Sequence, residues 1–261
     1  MDMTRRYQRN RLSRKKLIGV VAACIIVVAV VLGISLSGHG SVVTFPDSNL
    51  ETAIREAVNK PSGPIHASEL ARLASLTAFD SGIEYLSGLD YCTNLTDLDL
   101  WHNQISDISP LGNLTNLTYL ELGDNGITDI SPLGNLTNLE YLYLYSNQID
   151  DISSVVNLTN LKILSLQYNQ VNDISPLTNL TSLAALDLWH NQISDISPLT
   201  NLTNLAYLYL PRNQISDISP LVDNEGLSKG DEVYVSENPL SSDSVDIYIP
   251  QLQARGVIVY Y

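Results

Sequence analysis

The sequence predicts an α/β solenoid, in which short strands stack side by side into one parallel sheet and short returns carry the chain from each strand to the next. Three observations carry this prediction. The stretch Leu98-Asp99-Leu100-Trp101-His102-Asn103-Gln104-Ile105-Ser106-Asp107-Ile108-Ser109-Pro110-Leu111 recurs unchanged from Leu186 to Leu199, 88 residues on, which is four periods of 22. Leu95 is echoed at 22-residue steps by Leu117, Leu139, Leu161, Leu183 and Leu205, and Asn103 by Asn125, Asn147, Asn169, Asn191 and Asn213. Inside each unit leucines alternate with other residues over a strand-length run, as Leu98 and Leu100 do around Asp99. A fixed period in the twenties, built from units too small to bury their own apolar face, specifies stacked repeats.

Each unit reads L-x-x-L-x-L-x-x-N-x-I-x-x-I-x-P-L-x-x-L. The alternation places the leucines on one face of a strand. The asparagine then turns the chain inward, because its amide both donates and accepts and so satisfies backbone groups inside a tight turn. Pro110 at a first helical position, with Ser109 as N-cap, predicts a single turn carrying Leu111 and Leu114. Stacked units place successive strands about 4.8 Å apart.

The run N-x-I-S-D-I-S-P-L-x-N-L-T-N-L, at Asn103–Leu117 and Asn191–Leu205, resembles the leucine-rich repeat in its 22-residue internalin-like bacterial surface form. The resemblance covers roughly residues 73–240. It implies a curved superhelix with one parallel β-sheet on its concave side, used to bind partners.

In chain order, residues 1–16 form a basic tail of seven basic side chains against Asp2, a charge of +6; the whole chain carries −14, which leaves −20 on the remainder. Leu17 to Leu36 holds no charge. At about 1.5 Å per residue this run spans one bilayer core. It reads as a transmembrane signal anchor, with the tail cytoplasmic and the repeats outside. Secretion after cleavage of a signal peptide is the alternative, with Ser35 and Ser37 as small residues near a cut. Residues 37–45 read as a linker. Residues 46–72 read as a helical N-terminal cap: Pro46-Asp47 opens a helix with Leu50, Ile54 and Val58 on one face, Lys60-Pro61-Ser62-Gly63-Pro64 ends it, and a second short helix lies near Ser68–Leu73.

The repeats occupy 73–240. The first is degenerate, with Ser81 at the turn asparagine and Cys92 at a core leucine. Ser154-Val155 stands where Pro-Leu stands elsewhere, and after Leu221 the register slips by three residues, so that Val233, Val235, Asn238 and Leu240 form the last unit. Residues 241–261 read as a C-terminal cap, a helix over Ser242–Ala254 despite Pro250 and a closing strand over Val257–Tyr260. The chain has only two cysteines, Cys24 in the apolar run and Cys92 in the core. No disulfide is expected, and Cys92 reads as a small buried hydrophobe.

Side chains that alternate with the strand leucines point out of the sheet. Aromatic residues and acids dominate them, and the partner-binding set is Asp99, Trp101, Tyr119, Glu121, Tyr141, Tyr143, Tyr145, Tyr168, Asp187, Trp189, Tyr207 and Tyr209. Tyr and Trp are interface anchors, and the acidity suits a partner with a basic patch. The same rings stack on sugars, so a carbohydrate or cell-wall ligand is the second reading, and a rigid spacer is the third. The acidity argues against nucleic acid, whose phosphates it repels. No cofactor or metal is expected. The ladder Asp107, Asp129, Asp151, Asp173, Asp195 and Asp217 supplies one carboxylate per step, too few for calcium, and reads as local capping. His102 and His190 are four repeats apart and cannot share a metal. Asp99 and Glu121 lie on neighbouring strands at a glycosidase-like spacing, but an open sheet offers no pocket, and no catalytic motif occurs. The chain is expected to be no enzyme. Seven N-L-T sequons, at Asn94, Asn113, Asn116, Asn135, Asn157, Asn179 and Asn201, place any N-glycans on the convex side or its edge.

Overall fold

The computed structural model describes residues 40–261. The expected basic tail 1–16, the expected transmembrane anchor 17–36 and the first residues of the expected linker 37–45 lie outside the described residues. Among the described residues no helix is long and apolar enough to cross a membrane.

Nine short parallel strands form one sheet: β3 (Ser75–Thr77), β4 (Asp97–Asp99), β5 (Tyr119–Glu121), β6 (Tyr141–Tyr143), β7 (Ile163–Ser165), β8 (Ala185–Asp187), β9 (Tyr207–Tyr209), β10 (Glu232–Tyr234) and β11 (Ile258–Tyr260). Strand order follows chain order. The register is the repeat made physical, since Leu98 pairs with Leu120 and Leu120 with Leu142, each 22 residues on. The three-residue slip appears where Leu208 pairs with Val233. Each strand centres on one inward leucine or valine, because the outward neighbours on either side belong to the other face.

Within one unit Leu95, Leu98, Leu100, Ile105, Ile108, Leu111 and Leu114 are all at most 1% exposed. The same positions of successive units join into one continuous core. Most returns are single 3-10 turns such as Ser109–Leu111 and Ser175–Leu177. The turn starts differently from the expectation. Ser109 is inside the turn rather than its cap, and the capping oxygen belongs to Asp107, whose Oδ1 accepts from Ser109 N at 2.8 Å. Asp129, Asp151, Asp173, Asp195 and Asp217 repeat this bond. The aspartate ladder is therefore a capping ladder, because a carboxylate two residues ahead matches an orphan N–H that proline-led turns leave at their start.

The turn asparagines do more than close their own turn. Asn147 Oδ1 accepts from Ile127 N at 3.0 Å, one repeat back, while its Nδ2 donates to Leu122 O and Leu144 O, each at 3.0 Å. Asn103, Asn125, Asn169, Asn191 and Asn213 do the same. A second ladder runs beside it, in which Asn94, Asn116, Asn138, Asn160 and Asn204 donate to carbonyls of the preceding unit.

The two ends differ in kind. At the N-terminal end α1 (Ser48–Ala57) buries Leu50 and Ile54 against the first repeat. Asp47 caps it: Oδ1 accepts from Asn49 N and Leu50 N, and Oδ2 from Glu84 N and Tyr85 N at 2.7 and 3.0 Å. Burial acts to raise the pKa of this carboxyl, but the four backbone donors outweigh it and hold the group below its ordinary value. Two residues of the expected linker, Val42–Val43, form β1 and pair antiparallel with β2 (Ile65–His66), which precedes α2 (Ala67–Leu70). At the C-terminal end α3 (Ser219–Asp223) replaces a 3-10 turn, and a π-helical turn over Ser244–Tyr248 runs into α4 (Ile249–Ala254) with Pro250 in its first turn. Cys92 is fully buried, and burial pushes its thiol up to about 12.

Candidate functional site

The outward side chains form rows across the sheet, one residue per strand. Each strand's first outward residue pairs in register with the next, as Asp97 does with Tyr119 and Tyr119 with Tyr141. The second row runs Thr77, Asp99, Glu121, Tyr143, Ser165, Asp187, Tyr209, Tyr234 and Tyr260. A third row, two residues further along, holds Phe79, Trp101, Gly123, Tyr145, Gln167 and Trp189.

The carboxylates of the second row have a local structural task. Asp99 Oδ1 accepts from Trp101 N at 3.2 Å, Glu121 Oε1 from Gly123 N at 2.9 Å and Asp187 Oδ1 from Trp189 N at 3.1 Å. Each bond ties the strand end to its own acid.

The aromatic residues gather into separate groups. Tyr119 packs against Tyr141 and Tyr143, with ring centroids 6.4 and 5.7 Å apart. The Tyr145 ring sits over Gly123 on the adjacent unit, where a Cβ would overlap it, so only glycine leaves that ring its seat. Trp101 lies 6.2 Å from Phe79. Trp189 packs on Tyr168 at 4.8 Å, with the Arg212 guanidinium 5.8 Å above its ring. Tyr209, Tyr234 and Tyr260 stack almost parallel at 4.3 and 4.2 Å. Tyr207 and Tyr168 are the most exposed of the expected set, at 36% and 38%.

Burial corrects part of the sequence reading. Tyr143, expected to lie outside the core, is only 7% exposed, because it stands among rings of its own and the neighbouring strand. Glu121 is 0% and Asp187 2% exposed, so the middle of this face does exclude water. Between them Ser165 is 2% exposed, and its Oγ has no hydrogen-bond partner; the same is true of Trp189 Nε1. Sequence reasoning missed Tyr234, Tyr260 and Phe79. Tyr234 follows Tyr209 by 25 residues, the period plus the three-residue slip, and that spacing is the signal that places it in the row.

One wall of the face is a row of strained residues. Asp80, His102, Asp124, Ser146, Tyr168, His190, Arg212 and Glu237 all have φ between 50 and 56°. Their backbone is pinned by bonds to the next strand, such as His102 N to Gly123 O at 3.0 Å. Laterally, His102 Nδ1 pairs with Asp124 and its Nε2 lies 3.7 Å from Asp80, while Arg212 pairs with Glu237 at 2.8 Å.

A family model described as a leucine-rich repeat region matches residues 72–220. The chain belongs to the leucine-rich repeat family. Internalin C2 from Listeria monocytogenes is 39% identical to this leucine-rich repeat chain, with a TM-score of 0.57 over 76% of this chain and 93% of that one. The functional domain of InlJ from the same organism, which includes a cysteine ladder, is 25% identical with a TM-score of 0.55, over 77% of this chain and 54% of that one. The ectodomain of the plant membrane receptor kinase GASSHO1/SCHENGEN3 from Arabidopsis thaliana, solved in complex with CASPARIAN STRIP INTEGRITY FACTOR 2, is 25% identical. Its TM-score is 0.56, over 68% of this chain and 22% of that one. No curated protein matches significantly. The repeats are thus of the internalin-like kind.

Proposed function

We propose that this leucine-rich repeat protein is a non-catalytic recognition module, displayed outside the cell, that binds a protein partner across its sheet face. The observation that carries the reading is the concentration of tyrosine and tryptophan on that one face, around Tyr119, Tyr141 and Tyr145 and again at Trp189 and Tyr168. Such rings bury large area at small entropic cost and dominate interface energies. The acidic surroundings favour a partner with a basic patch, mainly through faster encounter. The plant receptor ectodomain, a relative over part of its length, was solved with a bound factor, which supports a binding role for the fold. Asp99 and Glu121 each spend a carboxylate oxygen on a backbone N–H, which speaks for structural duty rather than glycoside hydrolysis.

The test starts from a partner captured by cross-linking on intact cells and then purified. Tyr141→Ala is expected to weaken its binding by about 2 kcal/mol. Asp151→Ala, exposed on a turn outside the sheet, is expected to leave binding unchanged. Binding lost in Asp151→Ala and kept in Tyr141→Ala would put the contact surface elsewhere. Free sugars competing with the partner would move the reading towards a carbohydrate ligand.

A further inference from the structure

Ser165 is the smallest side chain in the central stretch of the second row, flanked in register by Tyr143 and Asp187 on the adjacent strands. It is 2% exposed, and its hydroxyl is unpartnered. A buried hydroxyl without a partner is costly, and native proteins keep few of them. On the far side of Tyr143, two strands from Ser165 and three from Asp187, lies Tyr143's other neighbour, Glu121, also fully buried. The floor of the face therefore reads carboxylate, tyrosine, unpaired hydroxyl, carboxylate. Lys162 and Arg212 are held by Glu140 and Glu237 at 2.8 Å.

Resting on the proposal that this face binds a protein, we infer that the Ser165 notch is a subsite for a basic side chain of the partner, an arginine. A guanidinium carries several donors in one plane and stacks on aromatic rings. One N–H meets the Ser165 oxygen, which then gains the partner it lacks. The charge lies beside the Asp187 carboxylate on the adjacent strand, with Glu121 beyond Tyr143 on the other side, and the flat face suits the Tyr143 ring. A lysine ammonium satisfies the same hydroxyl but cannot stack as a plane. Because Ser165 is covered, Tyr143 and its neighbours must part to admit the group, so an isolated arginine side chain should bind weakly, in the millimolar range.

The experiment titrates the full-length chain with capped arginine, N-acetyl-arginine-N-methylamide, followed by NMR. Capped norleucine is the uncharged control. Saturable shifts are expected at the amides of residues 143, 165 and 187, with norleucine binding at least fivefold more weakly. Ser165→Ala is expected to weaken capped arginine at least threefold while keeping or raising the melting temperature, since it deletes an unsatisfied buried group. A hydroxyl of purely structural value would give the reverse, unchanged arginine binding with a lower melting temperature, and that result overturns the subsite. Shifts elsewhere, or none, also overturn it. The two proposals fail separately. If partner binding is lost in Tyr141→Ala but arginine never titrates residue 165, the face stands and the subsite falls; if partner binding survives both Tyr141→Ala and Ser165→Ala, the face itself is wrong.

Discussion

Replacing Asn147 with alanine tests the frame on which the sheet face is hung. The side chain is 8% exposed and makes three bonds at 3.0 Å, one accepted from Ile127 N and two donated to Leu122 O and Leu144 O. The two carbonyls are insured, because Leu122 O also accepts from Asn125 at 3.1 Å and Leu144 O from Asn169 at 2.9 Å. Only the Ile127 N–H is stranded by the substitution. An unsatisfied buried donor costs about 1–3 kcal/mol, and thinning two carbonyl contacts adds less. Asn147→Ala should therefore cost about 2–3 kcal/mol, measured by urea unfolding at neutral pH. Asn147→Asp keeps the acceptor for Ile127 N but turns a second charged oxygen towards two carbonyls, so it should be at least as damaging at pH 7. Its deficit should shrink as pH falls, since protonation restores a donor. A loss below about 0.5 kcal/mol for Asn147→Ala, within the range of ordinary surface changes, would refute the cross-repeat role given to this ladder.

The acidic cap bond should show in pH dependence. Asp47 has its folded pKa depressed, so its stabilisation is complete above the unfolded value of about 4 and is lost as pH falls through the lower folded value. Acid should then destabilise the native chain more than Asp47→Ala, and at pH 7 that variant should lose about 2–3 kcal/mol, through one helix cap and two cross-element donors; equal acid sensitivity would remove Asp47 from the account. Gly123→Ala should cost about 1–3 kcal/mol by overpacking against Tyr145, and adding Tyr145→Ala should return most of it in a double-mutant cycle; strict additivity would show that the ring does not occupy that seat. The proposed topology predicts that protease added to intact cells degrades the repeats, because +6 flanks one side of the apolar run; cleavage only after lysis would reverse the orientation.

How much of this was readable in the chain depends on whether the determining contact is local, one period away, or further. The identical stretches Leu98–Leu111 and Leu186–Leu199 make the distinction sharp, since the same letters occur in two settings. Local features repeat faithfully: Asp99 caps Trp101 N as Asp187 caps Trp189 N, and His102 and His190 share the left-handed conformation at φ 54 and 56°. The core positions, the strands and the capping aspartates follow from the same local letters, which is why the period alone yields the fold. The chemistry diverges. Asp187 is 2% exposed, whereas Asp99 is only partly buried. His102 stands between Asp80 and Asp124, whereas His190 packs on the Tyr168 ring at 5.0 Å. Those differences come from residues 22 positions either side, which touch only across the sheet. The two-residue strand β1 carries no pattern of its own, and its pairing with β2 was hidden for that reason. The same holds for the buried middle of the face: Glu121 and Ser165 look like exposed polar residues in any single unit, and become a floor only when neighbouring units raise tyrosines and a tryptophan beside them. In a solenoid the repeat therefore specifies the scaffold, while recognition is written in the column that runs across repeats. A change at Ile163, on the strand of Ser165, or at Gln167 just beyond its end, should for that reason alter the neighbouring Tyr143 and Asp187 environments more than any change within their own units outside the sheet.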